Sequence, residues 1–332
     1  MNALNAVIQL PGGGDLLAVG YTSNSGSVAS RAMYRFQLSL TPSSNQEIWG
    51  GVSNFGDSTD NHGAWEMIDF NHDQTTVLLA GVCNRPNTAE MWFKSYGNVP
   101  TGNAVLMEIP ISVLSSSMDP QAVATFTKVY TETAYVTSKA FRSLPNGGAV
   151  ALIYGEADGA ILQVFDTAAN NRASVWGPTA YGYQGSGESD SIEGTDIVVS
   201  SDGLYVAISG HGSIPSVADA LYGRIRKVRL SDGSLMWSGN YASCDPAANA
   251  NCKFIKNECW GLQPTSDGGF VLACGTGIEN CNGMSGDFLS KCQGEQGVPA
   301  DPRPGAYARP PAVWQSFVVR VDSTGSMVWQ RA

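Results

Sequence analysis

One pattern of apolar segments and turn residues recurs five times along the chain. Its clearest copy begins near Glu258, turns at Asp267-Gly268-Gly269 and ends its second strand at Gly275. A second hairpin follows, with a turn at Ser323-Thr324-Gly325 and Trp329 near its end. Short turns rich in Asp and Gly between alternating apolar segments are typical of antiparallel hairpins. Each copy therefore predicts four antiparallel strands.

The glycine that ends the second strand marks the same place in every copy, at Gly20, Gly81, Gly155, Gly210 and Gly275. Successive glycines are 61, 74, 55 and 65 residues apart. These spacings exceed the roughly 40 to 50 residues of common propeller repeats, and inserted loops account for the excess. The sequence therefore predicts an all-β fold, a β-propeller of five four-stranded blades, either complete or part of a larger repeat protein.

The predicted blades form a single β-propeller domain over 1–332, and they span about 1–51, 62–131, 137–178, 193–241 and 257–332. A tryptophan lies near the end of the fourth strand in four copies, at Trp49, Trp176, Trp237 and Trp329. The second copy has the segment 124–130 at this place, without tryptophan. A large aromatic side chain that recurs at one structural position is most simply a packing residue. We expect these tryptophans to dock one sheet on the next.

The segments 266–273 and 321–329 together resemble the repeats of secreted bacterial-type β-propellers. In those repeats a DGG hairpin precedes a D-x-x-G-x-x-x-W hairpin, and the second half is similar to the tryptophan-docking repeat of quinoprotein propellers. The resemblance covers all five copies loosely and the last one closely. It implies the fold and an extracellular setting, but not quinone chemistry. Quinoproteins add a Ca²⁺ site, a catalytic Asp and often adjacent cysteines, and no two cysteines are adjacent here.

The charge balance argues against a nucleic-acid partner, because 29 acidic and 19 basic residues give a net charge of −10. The basic run Arg224, Arg226, Lys227 and Arg229 is interpreted as the exposed face of one strand. No apolar run approaches the roughly 20 residues that a membrane span needs. Residues 1–5 lack a signal-peptide pattern, which fits either a removed leader or a chain that belongs to a larger polypeptide or assembly.

Six of the seven cysteines fall within 49 residues, at Cys244, Cys252, Cys259, Cys274, Cys281 and Cys292. Their spacing does not match the two close pairs of a zinc site. Disulfides fit better, with Cys244–Cys252 and Cys281–Cys292 closing loops and Cys259–Cys274 facing each other across a hairpin. Six cysteines allow 15 pairings, and reduced buried cysteines are the alternative. Disulfides would indicate an oxidising compartment, either secreted or at the cell surface.

The loops of one propeller face are predicted to carry the function, because long loops on a rigid scaffold usually do. The loops after the second and fourth strands lie on one face, and they hold nearly all insertions, whereas the opposite face has short turns. Aromatic rings beside polar groups suit sugar faces and hydroxyls. The predicted ligand-binding residues are His62, Trp92, Tyr181, Tyr183, His211, Tyr241 and Trp314. The alternative is that the rings pack within their own loops.

An acidic loop at 187–196 offers oxygen ligands for a structural Ca²⁺, with Glu188, Asp190 and Glu193 as candidates. It lacks the spacing of an EF-hand, and a solvated acidic loop is the alternative. No other cofactor is expected.

Two functions remain open. The first is an extracellular, non-enzymatic binding or structural module that engages a glycan or a protein partner through the long-loop face. The alternative is a glycoside hydrolase or polysaccharide lyase with Glu66, Asp196 and Glu258 at the channel mouth and Lys139 at the same place in the third copy. Glycoside hydrolysis needs two carboxylates about 5 to 9 Å apart.

Overall fold

The structure is a computed structural model, and twelve segments of the chain are described by it. These are residues 2–23, 29–37, 46–53, 63–84, 102–114, 123–130, 135–155, 159–181, 193–213, 221–244, 255–278 and 313–332. Within these segments the chain forms five four-stranded antiparallel sheets, in which each strand pairs with its neighbour in sequence. The fold is a five-bladed β-propeller, as the sequence predicts.

The strands are numbered in chain order. The first sheet consists of β1 (Asn2–Gln9), β2 (Asp15–Ser23), β3 (Ala29–Gln37) and β4 (Gln46–Ser53). The second consists of β5 (Gly63–Phe70), β6 (Thr76–Asn84), β7 (Gly102–Pro110) and β8 (Phe126–Val129). The third consists of β9 (Tyr135–Ser143), β10 (Ala149–Gly155), β11 (Gly159–Phe165) and β12 (Ser174–Ala180).

The fourth sheet consists of β13 (Glu193–Val199), β14 (Tyr205–Ser213), β15 (Leu221–Arg229) and β16 (Leu235–Tyr241). The fifth consists of β17 (Lys256–Pro264), β18 (Phe270–Ile278), β19 (Val313–Val321) and β20 (Met327–Arg331). Helical structure in the described segments is limited to short turns such as Ile111–Val113 and Ala168–Asn170. No helix among the described residues is long and apolar enough to cross a membrane.

The chain divides into two compact units. The first comprises Met1–Tyr183 with the turns Asp202–Val206 and Arg229–Ser234, and the second comprises Gln184–Ser201, Ala207–Val228 and Leu235–Ala332. Each unit has its own apolar core. In the first unit, alternate residues of the first and second sheets pack together, including Leu17, Val19, Met33, Trp65, Leu79 and Met107. In the second unit the corresponding cluster includes Ile225, Leu262, Phe270, Leu272, Phe317 and Val319.

In all sheets but the third, the recurring glycine lies within the second strand and not at its end, and β6, for example, continues to Asn84. In the second sheet a close approach between strands explains the glycine. Gly81 pairs there with Trp65 at a place where β5 crowds β6. A Cβ atom at Gly81 would overlap the carbonyl oxygen of Ala64. Because no residue with a side chain fits at this distance, the position requires glycine.

Two fourth-strand tryptophans dock on the turn of the next sheet, which confirms the expected packing role. In the first unit, Trp176 Nε1 donates to the carbonyl oxygen of Leu230 over 2.6 Å. In the second unit, Trp237 Nε1 donates to the carbonyl oxygen of Ser323 over 3.0 Å. The side chain of Trp49 lies outside the described residues. Trp329 on β20 is 40% exposed.

Three of the four residues in the basic run of β15 are buried, which corrects the expectation of an exposed strand face; the side chain of Arg229, at the end of the strand, is 41% exposed. Arg224, Arg226 and Lys227 are only 2%, 7% and 9% exposed. The reason is that both faces of β15 are covered, since six consecutive residues of this strand are buried and successive side chains point to opposite faces. Lys227 Nζ donates to the carbonyl oxygen of Ser323 over 3.4 Å and lies 5.9 Å from the centre of the Phe270 ring.

One predicted disulfide is present in the described residues. Cys259 and Cys274 lie directly opposite each other in the pairing of β17 with β18, and their sulfurs are bonded. Cys244 is also disulfide-bonded. Its predicted partner Cys252 lies outside the described residues, as do Cys281 and Cys292.

Candidate functional site

The first strands of four sheets share one irregularity, a β-bulge near the middle of the strand. In each case a residue near the middle of the first strand has no partner on the second strand, and the register shifts around it. Strand β9 has a second such residue, Val136, near its start. Bulges re-aim side chains and are common next to functional sites. The extra residues near the middle are Asn5, Glu66, Lys139 and Trp260.

Three of these residues lie on neighbouring strands of the first unit, since β5 contacts both β1 and β9. We call Asn5, Glu66 and Lys139 the first-strand row. Asn5 Nδ2 donates to the carbonyl oxygen of Trp65 over 2.8 Å, which fixes the orientation of the amide. Glu66 Oε2 lies 3.9 Å from Lys139 Nζ, and the two side chains are 25% and 24% exposed. The row therefore presents an amide, a carboxylate and an ammonium group to solvent.

A second ion pair joins the same two strands three residues further along. Asp69 Oδ2 accepts a hydrogen bond from Arg142 Nη1 over 2.8 Å. The separation between Glu66 and Lys139 is about 1 Å longer and exceeds hydrogen-bonding distance. The two ion pairs therefore differ in whether another polar group can bind between their charges. Asp69 and Arg142 satisfy each other directly, whereas Glu66 and Lys139 are spaced so that a third polar group can bridge them.

The three carboxylates considered for catalysis are placed differently. Glu66 belongs to the first-strand row. In the second unit, Asp196 on β13 accepts a hydrogen bond from the backbone N–H of Ile197 over 2.8 Å. Glu258 on β17 is 5% exposed and pairs with Gly275, two residues before the bulge.

Sequence reasoning missed Asn5 and Trp260. At the position equivalent to Glu66, the fifth copy carries Trp260, which is 51% exposed, and not Glu258. A tabulation of the residues five positions before each turn would have aligned Asn5, Glu66, Lys139 and Trp260.

Two of the predicted ligand-binding aromatic residues are buried. Tyr181 is 5% exposed, and its hydroxyl donates to the carbonyl oxygen of Gly233 over 2.5 Å. Tyr241 is 7% exposed, and its hydroxyl donates to the carbonyl oxygen of Gly325 over 2.7 Å. Burial raises the pKa of each tyrosine to about 12. These rings extend the docking of Trp176 and Trp237 and do not offer the exposed face that stacking on a sugar requires.

The remaining predicted ligand-binding residues stay predictions. His211 lies on β14 and is 5% exposed. Trp314 lies on β19 opposite Gly277, and its side chain is outside the described residues. The residues His62, Trp92 and Tyr183 also lie outside them.

The calcium site is likewise untested. Glu188 and Asp190 lie outside the described residues, and Glu193 begins β13 with its side chain undescribed. The described segments contain no group of three or more His, Cys, Asp or Glu side chains that could hold a metal ion.

No protein-family model and no curated protein matches the chain. Among solved structures it is similar to the periplasmic gluconolactonase of Pseudomonas aeruginosa, with 11% identity over 99% of this chain and 84% of that one and a TM-score of 0.46. An exo-β-1,3-galactanase from Clostridium thermocellum is 11% identical, over 97% of this chain and 63% of the galactanase chain, with a TM-score of 0.45. The hydrazine synthase of Kuenenia stuttgartiensis is 12% identical, over 83% of this chain and 64% of the hydrazine synthase chain, with a TM-score of 0.46.

Proposed function

We propose that the protein is a non-catalytic glycan-binding module and that the first-strand row contacts hydroxyl groups of its ligand. The observation that carries the proposal is the 3.9 Å separation between Glu66 Oε2 and Lys139 Nζ. A hydroxyl group both donates and accepts hydrogen bonds, so one sugar hydroxyl can donate to the carboxylate and accept from the ammonium group. Sugars present several such groups in fixed geometry, which suits a row of polar side chains on a rigid sheet.

Binding is favoured over hydrolysis by the charge of the neighbouring group. A glycosidase needs a second carboxylate about 5 to 9 Å from the first, as general acid or as nucleophile. Glu258, one of the other two carboxylates considered for catalysis, is 5% exposed, whereas Glu66 is partly exposed and forms its described ion pair with the Lys139 ammonium group. A carboxylate in this setting serves as a hydrogen-bond acceptor for a ligand.

We further propose that the protein works in an oxidising compartment, either secreted or at the cell surface. The bonded pair Cys259–Cys274 supports this, because protein disulfides persist mainly where the environment is oxidising.

The test is a glycan array with the whole chain, followed by calorimetric titration of the best oligosaccharide. Glu66→Gln keeps the shape but removes the charge of the acceptor. We expect its affinity to fall about tenfold, since a hydrogen bond to a charged group contributes about 1.5 kcal/mol or more. The matched control is Asp69→Asn on the same strand, which should leave the affinity unchanged.

Three results would contradict the proposal. These are an array without a bound glycan, an unchanged affinity of Glu66→Gln, and an equal loss in Asp69→Asn. If new reducing ends are released from the bound oligosaccharide and Glu66→Gln abolishes this release, the protein is a glycoside hydrolase and not a non-catalytic module.

A further inference from the structure

A cavity of about 600 Å³ lies in the first unit, at short turns that the sequence assigns to the face opposite the long loops. It is bounded by the β9–β10 and β13–β14 turns and by the segments that connect β11 with β12 and β15 with β16. Every residue around it belongs to the first unit. Its volume is in the range of about 300 to 1,000 Å³ that is usual for small-molecule sites.

The floor of the cavity is apolar. Its side chains are buried to more than nine-tenths, at Leu144, Val164, Phe165 and Leu230. Two aliphatic residues of the cavity wall are unusually exposed, because Val175 and Leu204 are 55% and 57% accessible. Exposed aliphatic side chains beside an apolar hollow offer a ligand apolar surface to bury.

The charge of the wall is negative. Asp166 and Asp202 both line the cavity. Hydrogen bonds from the backbone of Thr167 and the side chain of Asn170 hold the pKa of Asp166 below its usual value, with a smaller effect of Arg172, which is itself paired with Glu108. The lining cation is Arg229, and its Nη1 lies 3.0 Å from Asp232, which is not part of the wall.

We propose that this cavity binds a small organic cation with an apolar body, of which an arylalkylamine is the simplest form. The apolar body would bury the surfaces of Leu204 and Val175 against the floor. The ammonium group would stay at the wall, close to Asp166 and Asp202. This site is separate from the first-strand row and does not depend on the glycan-binding proposal.

The test uses two probes of nearly equal shape, 2-phenylethylamine and 2-phenylethanol. Binding to the whole chain is followed by amide chemical shifts in NMR titrations. We expect both probes to shift the amide signals of residues such as Leu204 and Ser231. The amine should bind about two- to fivefold more tightly, which is the contribution typical of a partly exposed ion pair.

Substitutions in the cavity wall show which residues cause the preference for the amine. Asp202→Asn keeps an acceptor for the backbone N–H of Leu204, a hydrogen bond of 3.0 Å in the parent, and removes the negative charge. We expect it to weaken the amine about two- to fivefold and to leave the alcohol unchanged. The matched control is Asp267→Asn, in the equivalent Ser-Asp-Gly turn of the fifth sheet, which should change neither affinity. Leu204→Ala should weaken both probes.

The proposal is overturned if the amine and the alcohol bind equally, or if the shifted amides lie away from the cavity. It is also overturned if Asp202→Asn and Asp267→Asn have the same effect on the amine.

Discussion

At the scale of single residues, a buried ion pair between the second and third sheets stands out. Glu108 Oε1 on β7 lies 2.8 Å from Arg172 Nη2, and the two side chains are 2% and 4% exposed. Arg172 also donates through Nη1 to the carbonyl oxygens of Gly147 and Asp166, over 2.6 and 3.0 Å. Its backbone has a φ of +50°, in the left-handed region that favours glycine. These contacts hold the guanidinium group in place.

The pair makes stability depend on pH in a defined direction. Burial raises the pKa of Glu108 above its ordinary 4.5, and Arg172 opposes part of this rise. The folded protein therefore binds the proton more tightly than the unfolded chain does. The contribution is fully present below pH 4.5 and is lost as the pH rises through the raised pKa. We expect the free energy of unfolding, relative to Glu108→Gln, to fall from pH 4.5 to neutrality in urea denaturation.

The control for this prediction is Asp69→Asn, whose parent pair with Arg142 is partly exposed at 33% and 23%. That variant should cost less than about 1 kcal/mol. Glu108→Ala, which leaves Arg172 buried beside no carboxylate, should cost about 3 to 5 kcal/mol. A difference between the parent and Glu108→Gln that does not change with pH would refute the assignment.

At the scale of elements, two fourth strands dock through a tryptophan followed by a tyrosine. The tyrosine hydroxyls donate to turn carbonyls, from Tyr181 to Gly233 and from Tyr241 to Gly325. We expect Tyr241→Phe to lower the free energy of unfolding by about 1 kcal/mol, the usual contribution of one such hydrogen bond. Chemical denaturation measures this loss, and Tyr34→Phe on β3 is the control.

Because its hydroxyl is buried, Tyr241 should also make the folded protein less stable at alkaline pH. Burial, with a smaller effect of Asp322, raises the pKa of Tyr241 from 10.0 to about 12. The stability that its neutral form contributes is fully present below pH 10 and is lost as the pH rises through 12. Tyr241→Phe should therefore lose less stability than the parent over this interval. Equal losses would show that this hydroxyl does not couple to folding.

The hairpins could be predicted from the sequence because their signals are local. Turns such as Asp267-Gly268-Gly269 and the alternation around them identify strands without knowledge of their neighbours. Bulges could not be predicted, because an extra residue such as Lys139 is defined only by how two strands pair. Glu66 is a candidate in the sequence because of its carboxylate, whereas the equivalent place of Trp260 follows only from the pairing of β17 with β18. The aromatic rings of Tyr181 and Tyr241 look alike in sequence whether they bind a ligand or a backbone carbonyl.

At the scale of the whole molecule, acidic residues outnumber basic ones by 29 to 19, and several cations are not available to a partner. Arg224, Arg226 and Lys227 are buried. Others are paired with carboxylates, for example Arg35 with Asp15 over 2.5 Å. Binding to a nucleic-acid backbone needs accessible cations that displace its counterions.

We therefore expect no binding of the whole chain to duplex DNA, measured by fluorescence anisotropy at physiological salt. Repeating the measurement at lower salt concentration distinguishes a cationic surface from a protein without one. A cationic surface would bind more tightly as salt falls, because counterion release becomes more favourable. A protein with a net charge of −10 is repelled over a longer range instead, since the Debye length grows from about 8 Å at 0.15 M to about 30 Å at 0.01 M. Affinity that appears at low salt would reveal a local basic surface and would contradict the exclusion of nucleic acid.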